Sequence, residues 1–68
     1  MKSQEQLGKI LKEARLETRL SQAQVAKNAG IHVNYYARVE RGEVTPRIDI
    51  VNSIAKALKL TLKLPLDE

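Results

Sequence analysis

Asn34 and Arg38 stand four residues apart in the stretch His32-Val33-Asn34-Tyr35-Tyr36-Ala37-Arg38. On a helix that spacing puts both side chains on one face. An Asn amide can bond two atoms of an adenine edge, and an Arg guanidinium two atoms of a guanine edge. The chemistry this pair offers is recognition, not turnover. No catalytic alternative competes with it: the chain has no cysteine, one histidine, three glycines that form no phosphate-cradling loop, and no compact carboxylate pair at a predicted cleft. The same two residues also read as solvated polar groups on an exposed face, so the elements that carry them must decide.

Those elements are legible between residues 20 and 42. Ser21 is a good N-cap and Gln24 stands three residues on, the spacing of a capping box, with Leu20 placed to act as a staple. About two helical turns follow, with Val25, Ala26 and Ala29 on one face, and Gly30 supplies the freedom for a left-handed turn. A second helix is expected over residues 33–41, with Tyr36 and Val39 turned toward Ala29 and Ile31, and Gly42 closes it. Two short helices joined this way form a helix-turn-helix, whose second helix enters the DNA major groove while the first crosses the backbone.

Helix one is expected over residues 4–18, with Ser3 as its cap and Leu7, Ile10, Leu11 and Ala14 as its inward stripe. Thr45-Pro46 marks a boundary, because the residue before proline is pushed out of the helical region. From there Ile48, Val51, Ile54, Ala55 and Leu58 give a fourth amphipathic helix ending near Lys59. The tail then alternates, Leu60-Thr61-Leu62-Lys63-Leu64, with the two-residue period of a strand. A lone strand leaves its backbone unpaired, and no second strand candidate exists in the chain. Antiparallel pairing with another copy would bury Leu60, Leu62 and Leu64, and Pro65 would end it. A frayed helical end, or a tail packed on its own protomer, is the alternative.

With 68 residues the chain makes one small domain, near the size where a single core is marginal and a partner copy helps. The fold class is therefore all-α, with a short C-terminal β-strand. Without cysteine there are no disulfides, and His32 alone cannot build a metal site, so no metal or cofactor is expected. Twelve Lys and Arg against eight Asp and Glu give +4, which favours an anionic partner only if the charges are well placed. No apolar run approaches the roughly 20 residues of a membrane span. The N-terminus has no apolar signal core, so no membrane role and a cytoplasmic location are expected.

Taken together the chain resembles the lambda-repressor-like, Cro-type (XRE) helix-turn-helix family over about residues 7–60. The match rests on Leu7-Gly8, Arg15, Leu20-Ser21-Gln22, Val25-Ala26, Ala29-Gly30-Ile31, Arg38-Val39-Glu40-Arg41-Gly42, Pro46 and Ile54-Ala55-Lys56-Ala57-Leu58, in this order and spacing. The resemblance implies a compact domain of four or five helices that binds a palindromic, double-stranded operator as a homodimer and represses transcription.

It further implies that Val33, Asn34, Ala37 and Arg38 face base edges. Gln22, His32, Tyr35, Arg41 and Arg47 become candidates for the DNA backbone. Gln22 would offer its amide to a phosphate and its side chain to the recognition helix, and Arg15 and Glu40 would tie helix one to the end of that helix. Two positions depart from the family. Arg19 stands where glycine is usual, and Tyr36 replaces an aliphatic residue, so its hydroxyl needs a partner. The ending is similar to that of HipB-like antitoxins, in which a short strand pairs across the dimer and a kinase-type toxin is bound; such a toxin is therefore a candidate partner. A helical protein-interaction adaptor is the rival reading. Gln22, Asn34 and Arg38 argue against it, since an adaptor does not need them on one exposed face.

Overall fold

The computed structural model describes residues 3–58, as four helices: α1 Ser3–Thr18, α2 Gln22–Ala29, α3 Val33–Glu40 and α4 Ile48–Ala57. Ser3 lies within α1 and is not a cap, and α3 stops at Glu40, with Arg41 as its C-cap. The strand expected at residues 60–64, its pairing across a dimer, and Lys59 lie outside the described residues.

The first three helices end alike, each with a residue at positive φ: Arg19 at 61°, Gly30 at 75° and Gly42 at 76°. After each, two amides fold back on the closing turn. Arg19 and Leu20 donate to the carbonyls of Leu16 and Arg15, Gly30 and Ile31 to those of Lys27 and Ala26, and Gly42 and Glu43 to those of Val39 and Arg38. This is the Schellman arrangement, which satisfies orphan carbonyls and turns the chain sharply. Only at the first end does a side-chain-bearing residue take the left-handed conformation, at a cost of about 1 kcal/mol.

Helix starts are equally specific. The full capping box forms at α2: Ser21 Oγ accepts from the Gln24 amide at 3.0 Å and Gln24 Oε1 from the Ser21 amide at 2.8 Å. His32 caps α3, its Nδ1 accepting from the Asn34 amide at 3.0 Å. Because Nδ1 is the acceptor, the neutral ring carries its proton on Nε2.

The helices close on one apolar cluster of Leu11, Ala14, Val25, Ala26, Tyr36, Val39, Ile54, Ala57 and Leu58. Leu7, Ala29 and Ile31 pack against it from half-buried positions, Val51 and Ala55 fall outside it, and two residues expected to face inward are exposed. Ile10 is 58% exposed and Ile48 74% exposed. At about 100° per residue, the buried face of α1 runs through Leu7, Gly8, Leu11, Ala14 and the half-buried Arg15, leaving Ile10 beyond its edge. In α4 the inward stripe is Ile50, Ile54, Ala57 and Leu58, and Ile48, at the helix start, precedes it.

Gly8 shows why the face of α1 is rotated. A Cβ there would stand 2.5 Å from the carbonyl oxygens of both Val39 and Glu40, so α1 and α3 touch backbone to backbone. A side chain in mid-helix would force them apart. Gln4, one turn earlier, donates to the Gly42 carbonyl at 2.9 Å and accepts from the Thr45 hydroxyl at 2.6 Å, fastening the loop between α3 and α4 to α1.

Candidate nucleic-acid interface

The inner end of α3 is held by ions. Arg15, from α1, donates through Nε to Glu40 Oε2 at 2.6 Å and through Nη2 to Oε1 at 3.1 Å, a bidentate pair. Its remaining amine, Nη1, reaches the Leu20 carbonyl at 3.1 Å. Gln22, the first residue of α2, donates Nε2 to Glu40 Oε1 at 2.9 Å. One carboxylate at the last turn of α3 thereby joins α1, α2 and α3. The Glu40 side chain is 3% exposed and that of Arg15 12%. Burial disfavours the Glu40 charge, but the hydrogen bonds from Arg15 and its other neighbours outweigh it and hold the carboxyl below its ordinary value.

Tyr36 lies fully buried beside this group, and its hydroxyl has no hydrogen-bond partner among the described residues. Burial, and after it the adjoining Glu40 carboxylate, push the phenol well above its ordinary value. It is a neutral wedge between helices.

The outer face of α3 is different. Asn34 and Arg38 are exposed, whereas Val33 and Ala37 are half-buried. Val33 and Tyr35 also pack against the core cluster, so each presents only part of its surface outward. His32 and Arg41 are exposed at the two ends of the helix, and Gln22 is half-buried.

None of the three arginines assigned to DNA is without an acidic neighbour. Arg41 Nε lies 2.7 Å from Glu43 Oε2, Arg38 Nε lies 3.4 Å from Glu43 Oε1, and Arg47 Nε lies 3.6 Å from Asp49 Oδ1. The hydrogen bond from Arg41, with Arg38 adding to it, holds the Glu43 carboxyl below its ordinary value. All of these side chains are solvent-exposed, and exposed ion pairs are weak enough to be exchanged for another anion. Arg47 is the N-cap of α4 with no side-chain capping bond, and its side chain is 86% exposed.

Two participants, Glu43 and Gln4, were not singled out in the sequence, and Gly8 entered only as part of Leu7-Gly8, without the close helix contact it makes. Gly8 left a signal, since a glycine inside a helical pattern often marks a close backbone approach. Glu43 and Gln4 left less: each works across a turn or between distant segments, where helical periodicity carries no information.

No described helix is long and apolar enough to cross a membrane. Among the described residues no group of three or more His, Cys, Asp or Glu could hold a metal ion. A model of the helix-turn-helix family matches residues 11–64, well over half of the chain. No curated protein and no solved structure gives a match.

Proposed function

Because the chain belongs to the helix-turn-helix family, in its XRE type, a family of DNA-binding transcription regulators, we propose that it is a homodimeric repressor of an inverted-repeat operator. Each protomer lays α3 in a major groove, with half-sites about one helical turn apart. Asn34 and Arg38 read base edges, and Val33 and Ala37 offer apolar contact to thymine methyls. Gln22, His32, Tyr35, Arg41 and Arg47 contact the backbone, the first through a helix N-terminus suited to phosphate. Binding near a promoter excludes polymerase. The role is one of binding, not catalysis.

The observation that carries this reading is the two-sidedness of α3. Its inner side is locked by Arg15, Gln22 and Glu40, while Asn34 and Arg38 stand exposed together on the other. A rigidly held helix with exposed base-reading side chains is what specific recognition requires. An adaptor would need neither.

Arg38→Ala tests the reading. It should lose about 1–3 kcal/mol of discrimination at one base pair and leave the fold intact. Equal binding of the variant and the wild type to a selected operator, at one ionic strength, would contradict it. The dimer rests on the alternating sequence of residues 60–64; removing residues 61–68 should yield monomers in solution, and an unchanged dimer would reject the strand. A kinase-type toxin is proposed as partner on the likeness of that same tail to HipB-like antitoxins.

A further inference from the structure

We propose that Glu43 is a specificity-determining residue. Its carboxylate draws Arg38 side-on for a base edge and weakens the sequence-indifferent attraction of Arg38 and Arg41 to phosphates. The inference rests on the base-reading role of Arg38 given above.

The backbone brings Glu43 to this place independently of its charge. Gly42 is left-handed, and the Glu43 amide donates to the Arg38 carbonyl at 3.0 Å, which returns the chain beneath the last turn of α3. From there Oε2 accepts from Arg41 Nε at 2.7 Å, and Oε1 lies 3.4 Å from both Arg41 Nη2 and Arg38 Nε. The carboxylate bridges two arginines three positions apart.

The division of donors is unequal. Arg41 gives Glu43 both Nε and Nη2. Arg38 makes only an ion pair, its Nε at 3.4 Å without hydrogen-bond geometry, and its terminal amines have no hydrogen-bond acceptor among the described residues. A guanidinium drawn toward a carboxylate on its Nε side keeps the end-on pair that matches O6 and N7 of guanine. Arg38 is thereby pointed and still available.

The charge balance matters as well. Two arginines on one helical turn would bind any pair of phosphates, and that attraction is indifferent to sequence. One carboxylate between them leaves a single net positive charge at the end of α3. Arg38, Arg41 and Glu43 side chains are 54%, 56% and 46% exposed, so this trio is not part of the core and its contacts can open to a ligand. Discrimination is a difference between two affinities, and Glu43 lowers the unwanted one while orienting the group that supplies the other.

Glu43→Gln keeps the side-chain length and removes the charge, and the backbone turn remains. Wild type and variant are titrated, at one ionic strength, with the duplex selected by the wild type, with that duplex changed at the single base pair whose preference Arg38→Ala abolishes, and with random duplex. Circular dichroism confirms the fold of each. The variant should bind random duplex several-fold more tightly, and its penalty at that one base pair should fall at least fivefold while penalties elsewhere hold. Two results overturn the proposal: both quantities unchanged within twofold, or tighter random binding with the single-pair penalty intact, which would make Glu43 a bulk charge only. A wild type with no sequence preference would instead remove the base-reading role itself, and this inference with it.

Discussion

Arg15→Met should turn the pH dependence of stability around. In the wild type the folded Glu40 carboxyl sits below its unfolded value of 4.5, so the stability it contributes is fully present above that value. It is lost as pH falls through the lower folded value. Methionine fills much of the arginine's space but removes the bidentate partner at 2.6 and 3.1 Å, leaving a carboxylate of 3% exposure with the Gln22 amide as its remaining donor. Breaking a buried pair from one side costs about 3–5 kcal/mol. A chain of 68 residues has only about 3–10 kcal/mol in total, so the loss takes a large share of the stability at pH 7. With burial opposed only by the Gln22 amide, its Glu40 pKa should rise above the unfolded value, and stability should grow as pH falls toward that value. Urea unfolding followed by circular dichroism between pH 4 and 7 reads both slopes. Glu40→Gln combined with Arg15→Met should recover much of the loss. A cost below about 1 kcal/mol, the range of exposed pairs, with the wild-type slope preserved, would refute the account of the network.

Gly8→Ala should destabilise by about 1–3 kcal/mol or more, since the new methyl meets two backbone carbonyls at 2.5 Å; a thermal midpoint within a degree of wild type would reject the close crossing. Arg19→Gly should stabilise by about 1 kcal/mol by relieving the positive φ, as read by denaturant midpoint; loss of stability would mean the arginine side chain is needed there. Tyr36→Phe should be neutral or gain up to about 1 kcal/mol, because an unpaired buried hydroxyl stabilises nothing. A loss above that would show that the hydroxyl donates to Glu40.

What the sequence disclosed was whatever lies close along the chain. Ser21 with Gln24, Gly30 and Gly42 are local signals, and the boundaries of α2 and α3 followed from them to within a residue or two, whereas the positive φ of Arg19 was signalled only by the family's glycine at that place. Burial was less legible. Ile10 and Ile48 are apolar and in helical register, but a helix has one contact face, and its direction is set by the backbone approach at Gly8 and by the stripe of Ile50, Ile54, Ala57 and Leu58. Tertiary packing decides that, not periodicity. For the site, the link of Arg15 to Glu40 came from the family resemblance, since 25 residues separate the partners. Glu43 was missed because it sits past the helix end, where a turn, not a helical repeat, brings it to Arg38 and Arg41.

The central claim is that α3 reads DNA sequence from a symmetric dimer. Selection of duplexes from a random pool by the wild-type protein, at near-physiological salt and followed by sequencing, tests it most directly. An enriched inverted repeat with half-sites about 10 base pairs apart, centre to centre, is the predicted result. A folded protein that enriches no sequence would contradict it.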